Sequence, residues 1–212
     1  MTAWAGTISG LALGAFGPLS DAGDDLDAAS PLCDAELMQR YRSGDIESFR
    51  RLYVRYRESL YRYVLRLAGS RVEADEIFQD VWLAVVRNTA NYRPTAKFVT
   101  YLFAIAHRRR VDSMRRQARL DDAVQGIEEA EQVADEVSRQ PQEMAARAQN
   151  HDAMNAAIAK LPIVQREAFL MQAMGEMTLE EIADATSTGR ETVKSRLRYA
   201  HARLRRELEA AR

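Results

Sequence analysis

Arg190, Thr192, Lys194, Ser195, Arg196, Arg198 and Arg203 crowd the outer side of a basic stretch near the end of this chain. Guanidinium and ammonium groups suit phosphate oxygens and guanine edges, and short hydroxyl side chains near a helix start allow close approach to a base pair. That is the chemistry of duplex readout in a major groove. To present such a set, the backbone must form a helix with one apolar side, and Val193, Leu197, Ala200 and Leu204 supply it at three- and four-residue spacing. A shorter helix precedes it, with Leu179, Ile182 and Ala183 on its apolar side. Thr178 with Glu181, and Thr188 with Glu191, have the spacing of capping boxes, so each helix carries a start signal. A solvated amphipathic helix in an ordinary bundle would also show a basic face. The paired caps, and the order E-I-A before T-V-K-S-R, weigh for a helix-turn-helix.

With 212 residues the chain can form two small helical domains, and its 47% hydrophobic content allows real cores. A formal net charge of -1 argues against a uniformly basic coat. The charge is segregated instead. Arg108, Arg109, Arg110, Arg115, Arg116 and Arg119 form one basic block and Arg190 to Arg206 another, with Asp121, Asp122, Glu128, Glu129, Glu131, Asp135 and Glu136 between them. Cys33 is the only cysteine, which leaves no intrachain disulfide and points to a reducing cytoplasm. His107, His151 and His201 have no partners at metal-ligand spacing, so neither a metal site nor a cofactor is expected. No phosphate loop, nucleophile elbow or carboxylate pair stands out, so the chain is not expected to be an enzyme.

Residues 1–33 read as a disordered extension. Gly6, Gly10, Gly14, Gly17 and Pro18 interrupt its apolar run and no Lys or Arg precedes Arg40, which argues against a signal peptide or a membrane span. A short partner-binding helix presenting Trp4, Ile8 and Leu11 is the alternative. From Asp34 the pattern is helical, with Phe49, Leu52, Tyr53, Tyr56, Leu60, Val64 and Leu67 as one stripe. Ser70 and Glu73 form a further capping box, opening a helix with Ile77, Phe78, Val81, Trp82, Val85 and Val86 inside and Asp75, Glu76, Gln79 and Asp80 outside. Residues 91–95 break the pattern at Pro94. A helix over 98–119 follows, with Phe98, Leu102, Ile105 and Val111 inward and His107 to Arg110, Arg115 and Arg116 outward. The acidic segment 120–141 reads as a flexible tether, and 142–212 as the helix-turn-helix domain with its support helix containing Val164, Ala168, Phe169 and Met171.

E-I-A, T-V-K-S-R-L and R-L-R-R-E resemble the promoter-reading domain of bacterial sigma factors, above all their extracytoplasmic-function group. A T-V-K helix also occurs in LuxR-type regulators, which lack the partner domain that the rest of this chain resembles. Its counterparts of the sigma pattern are Asp34, Glu36 and Leu37; Arg40 to Asp45; Phe49; Leu52 and Tyr53; Gln79 to Trp82; Tyr92 to Lys97; and Tyr101 to His107. The resemblance spans about residues 34–207 and departs from the family pattern at three places. Thr186, Ser187, Thr188 and Gly189 stand where L-G-I-P is usual, Glu191 where a small residue is common, and Arg108 where asparagine is frequent.

The resemblance implies an all-α protein: a larger domain over 34–119, an acidic linker that enters polymerase channels, and a helix-turn-helix domain. It implies an alternative sigma factor that binds core RNA polymerase, directs promoter recognition and DNA melting, and is held by an anti-sigma factor. A free-standing regulator acting without polymerase is the alternative. Arg190, Glu191, Thr192, Lys194, Ser195, Arg196 and Arg198 would read the minus-35 element, with Arg196 on phosphate. Tyr92, Arg93, Lys97, Phe98 and Tyr101, with Arg108, Arg109, Arg115 and Arg116, would hold the melted minus-10 strand. Phe98 and Tyr101 are as suited to packing as to contact. Asp75, Glu76, Gln79 and Asp80 would meet the polymerase clamp.

Overall fold

The computed structural model describes residues 32–92, 96–123 and 153–210, and every regular element among them is a helix. The extension and tether expected at 1–33 and 120–141 lie almost wholly outside them, as does Arg93. In the N-terminal half, α1 (Asp34–Arg42) leads through a turn into α2 (Ile46–Leu65). Gly44 makes that turn at a φ of +101, a conformation that side chains with a Cβ rarely adopt. Asp45 then caps α2 by accepting from the backbone N–H groups of Glu47 and Ser48. Next come α3 (Arg71–Arg87), a 3-10 turn (Thr89–Asn91) and α4 (Phe98–Ala123), which runs past the expected end at 119. The Ser70 hydroxyl accepts from Glu73 N–H at 3.2 Å, while the Glu73 carboxylate reaches Gly69 N–H at 2.8 Å and Ser113 at 2.7 Å. The cap therefore also ties α3 to α4.

Trp82 is fully buried, its ring centroid 5.0 Å from Tyr53, 5.8 Å from Phe49 and 6.4 Å from Phe78. Burying one such ring removes some 150–250 Å² from water, about 4–6 kcal/mol at 25 cal/mol/Å². Leu52, Leu60, Val64, Leu102 and Phe103 complete this core. Arg110 does not lie outside as the arginine run suggested: it is 6% exposed, and the inward stripe of α4 passes through Ala106, Arg110 and Ser113 rather than Val111.

The C-terminal half has a helical segment over 153–159, α5 (Ile163–Gly175), α6 (Leu179–Thr186) and α7 (Arg190–Ala210). Ala168 and Met171 of the support helix are buried, whereas Val164 faces outward at 42% exposure. The two halves pack on each other, α2 against α5 and α4 against α6, and residues 33–212 make one compact unit. At their junction lies Glu167, 3% exposed. Its Oε1 accepts from Tyr63 (3.0 Å), His107 Nδ1 (2.8 Å) and Arg110 Nε (3.1 Å), and its Oε2 from Arg110 Nη2 (2.9 Å). Burial pushes the carboxyl up, but the His107 hydrogen bond and the Arg110 charge outweigh it and hold it below the usual range. Tyr63 is pushed well up, by burial and then by the Glu167 charge, so its hydroxyl stays a donor. Nearby, Arg66 Nη2 donates to Asn155 (2.8 Å), Arg166 Nη1 donates to the Arg66 carbonyl (3.2 Å), and Lys97 pairs with Glu181 (3.1 Å). At Gly175 an added Cβ would come within 3.1 Å of Met177 and 3.5 Å of Phe103, so the bare backbone there lets α4 approach.

Candidate nucleic-acid interface

Thr178 and Glu181 form the expected capping box, with Thr178 Oγ1 accepting from Glu181 N–H (3.2 Å) and the carboxylate from Thr178 N–H (2.8 Å). Helix α6 ends at Ser187, in the left-handed region at φ 53, with Thr188 N–H returning to the Ala183 carbonyl at 3.0 Å. Glycine is the usual occupant of that position, and here it stands two residues later. The Thr188–Glu191 box does not form. Helix α7 starts at Arg190, with Val193 N–H bonded to the Gly189 carbonyl (3.1 Å), so Glu191 is the second helical residue and not the third. The Thr188 hydroxyl meets Thr186 Oγ1 at 2.9 Å instead.

Val193, Leu197, Ala200 and Leu204 are buried, which fixes how α7 is rolled. Arg190, Glu191, Thr192, Lys194 and Arg198 stand exposed, and Ser195 and Arg196 are half-buried at the margins. Two acids offset part of the positive charge of this face. Arg190 Nε pairs with Glu180, Arg190 Nη1 lies 3.1 Å from Glu191 Oε1, and Lys194 Nζ is 3.5 Å from Glu191 Oε2. The hydrogen bond from Arg190 holds the Glu180 carboxyl below its ordinary value. Arg198 lies over the Tyr199 ring, 4.9 Å from its centroid, and donates to its hydroxyl at 3.2 Å. Tyr199, 53% exposed, is a contact-ready aromatic that the periodicity argument passed over because it belongs to neither stripe.

Of the aromatics expected to meet a melted strand, two are core. Phe98 is 1% exposed and Tyr92 5% exposed, packed with Tyr101 and Tyr56 at ring-centroid distances of 5.3–6.3 Å. Their apolar area finds a dry partner within the half, so neither offers a face for stacking in this conformation. Tyr101 is half-buried, its phenol pushed up by burial with the Arg108 charge acting against it. Lys97, Arg108, Arg115 and Arg116 are exposed and Arg109 is half-buried. On α3, Glu76 and Gln79 are exposed, Asp80 is half-exposed, and Asp75 accepts from Tyr61 at 2.9 Å, all opposite the buried face of Ile77, Val81 and Trp82. Among the described residues there is no cluster of three metal-ligating side chains, and no helix is long and apolar enough to cross a membrane.

A family model for Sigma-70 region 2 matches residues 52–120, and one for Sigma-70, region 4 matches residues 151–204. Among curated proteins, the chain is 29% identical over 167 residues to the ECF RNA polymerase sigma factor RpoE of Cereibacter sphaeroides, covering 77% of this chain and 88% of that one. It is 26% identical over 178 residues to ECF RNA polymerase sigma factor SigW of Bacillus subtilis, covering 81% and 94%. Two solved structures share the fold. The sigma factor RpoE of Bartonella quintana, in complex with the anti-sigma factor NepR, superposes with a TM-score of 0.66 at 18% identity, covering 78% of this chain and 99% of that one. CnrH, in complex with the cytosolic domain of CnrY, gives 0.57 at 23% identity, covering 84% and 97%.

Proposed function

Because this chain belongs to the extracytoplasmic-function group of the sigma-70 family, an alternative sigma factor that directs core RNA polymerase to promoters, we propose a division of labour among its helices. Helix α7 reads the minus-35 element as duplex. Lys194 and Arg198 meet phosphate or guanine, Thr192 and Ser195 allow close approach, Glu191 accepts from a cytosine amine, and Arg190 and Arg196 hold the backbone. The observation that carries this reading is the roll of α7, whose buried Val193, Leu197, Ala200 and Leu204 leave those side chains facing outward.

Helix α4 and the loop before it take the melted minus-10 strand. Tyr101 supplies a stacking face worth about 1–3 kcal/mol per base, and Lys97, Arg93, Arg108, Arg109, Arg115 and Arg116 follow the phosphates. Tyr92 and Phe98 support Tyr101 from behind. The outer face of α3, with Asp75, Glu76, Gln79 and Asp80, docks on the polymerase clamp. Catalysis stays with core polymerase, in the cytoplasm, and an anti-sigma factor is the expected inhibitor, in line with the partners named for the two related structures.

The test is run-off transcription of host DNA fragments by core polymerase with and without this protein. New start sites sharing two upstream elements are expected. Duplex binding by the protein alone, with no new starts, would instead make it a free-standing regulator.

A further inference from the structure

Arg42, the last residue of α1, pairs with no carboxylate among the described residues. Its Nη1 instead donates to the main-chain carbonyl of Tyr92 at 3.3 Å, 50 positions along the chain. Tyr41 beside it reaches the same turn. Burial pushes the Tyr41 phenol up and the neighbouring Thr89 side chain acts the other way, while its ring lies 4.8 Å from Phe49. The end of α1 therefore grips the 3-10 turn that leads out of α3.

The two ends of that turn are held by different means. At its start Thr89 Oγ1 donates to the Val85 and Val86 carbonyls at 2.9 and 2.8 Å, and Asn88 Nδ2 to that of Ala84 at 2.9 Å, so α3 fixes this end by itself. At its exit stands Tyr92. Its ring is 5% exposed, 5.3 Å from Tyr101 and 6.3 Å from Phe98, yet its hydroxyl meets no partner among the described residues. Only packing holds the ring, and the polar anchor of the residue is its carbonyl. Because a peptide unit is planar, a donor on that oxygen fixes rotation about the Cα–C bond of Tyr92, and with it the approach of the ring to Tyr101. We propose that Arg42 is a positioning residue for minus-10 recognition: it anchors the main chain of Tyr92, whose ring backs Tyr101, and touches neither base nor phosphate itself. The inference rests on the reading that Tyr101 stacks on the melted strand.

The experiment uses holoenzyme assembled from core polymerase and the full chain. The probe is single-stranded DNA enriched from a random library on the parent holoenzyme, titrated at several salt concentrations. Arg42→Ala should weaken its binding on the order of 10-fold, the effect of a lost charged hydrogen bond and a misplaced stacking ring, with the salt slope unchanged. Core affinity and helical circular dichroism should match the parent. Arg42→Lys keeps a charged donor on a more flexible stem and should recover part of the loss. In a Tyr101→Ala background Arg42→Ala should cost nothing further, since one residue acts through the other. Additive losses would overturn the proposal, as would a salt slope lowered by about 0.7, the mark of a lost phosphate contact to a single strand. Loss of helicity or core binding in both Arg42 variants would also overturn it, by making the residue merely structural. If Tyr101→Ala weakens binding and Arg42→Ala does not, the anchor fails alone. If the library yields no bound strand, or Tyr101→Ala binds like the parent, the stacking reading falls and the anchor with it.

Discussion

Glu191 is the one acid among the α7 residues proposed to read the minus-35 element, and Glu191→Gln separates two roles that predict opposite signs. Its carboxylate sits 3.1 Å from Arg190 and 3.5 Å from Lys194, with its side chain 75% exposed. In the free protein the substitution removes a favourable charge near a helix N-terminus and one pair at i,i+3 spacing, together about 0.5–1.5 kcal/mol. The effect on DNA differs in kind. As a base acceptor, the carboxylate discriminates for cytosine by about 1–3 kcal/mol, a factor of about 5 to 150. Glutamine favours adenine instead, so Glu191→Gln should lose that factor at one base position and shift its preference toward adenine, with other positions unchanged. Competition binding of all four bases at each minus-35 position, using holoenzyme at one fixed salt concentration, reads this directly. If Glu191 only neutralised Arg190 and Lys194, the variant would free both cations for phosphate, and affinity would rise uniformly with a steeper salt dependence. Uniform tightening would refute the base-reading role.

Arg196→Ala should weaken binding to every promoter sequence alike and reduce the log–log salt slope by about 0.9, as one lost phosphate contact requires, measured by titration at several salt concentrations. Ser187→Gly should raise stability by about 1 kcal/mol, because Ser187 holds a left-handed φ of 53 that costs a side chain about that much. Thermal unfolding followed by circular dichroism should show an increase of about 2–4 °C. The depressed Glu167 carboxyl sets a pH dependence for closure. Its folded value lies below its unfolded one, so its contribution is fully present above the ordinary carboxylate value of 4.5 and is lost as pH falls through the folded value. The groups facing it are Tyr63, His107 and Arg110. Scattering between neutral and acid pH should show opening in the parent and no carboxylate-linked step in Glu167→Gln.

What sequence made legible here has a local cause. The buried stripe of α7, the Thr178–Glu181 cap and the inner face of α3 all follow from residues within two turns of one another, and each stands where periodicity places it. Where the reading slipped, one residue of phase was at stake. Helix α7 begins at Arg190, which shifts Glu191 out of capping reach, and the buried side of α4 runs through position 110 and not 111. Tyr92 and Phe98 show a different limit. An aromatic beside a loop has the same sequence signal whether it waits for a base or fills a core, and only the rings around it decide.

The buried junction was beyond local reasoning, although it left a trace in the sequence. Glu167 falls in register with the buried Leu170 and Met171 of α5, and Arg110 in register with Ala106 and Ser113 of α4. Each alone looks like a polar interruption of an apolar stripe. An acid at a core position in one helix and a base at a core position in another are, taken as a pair, a contact prediction, since a lone buried charge costs far more than a matched one. Such a pair is also a reason for the halves to close without becoming inseparable. An all-apolar junction of the same volume is often as stable or more so, but water compensates little when it opens, whereas an ion pair regains hydration at both charges once the helices part. The second kind of contact is the one found between α4 and α5, where Arg110 donates twice to Glu167.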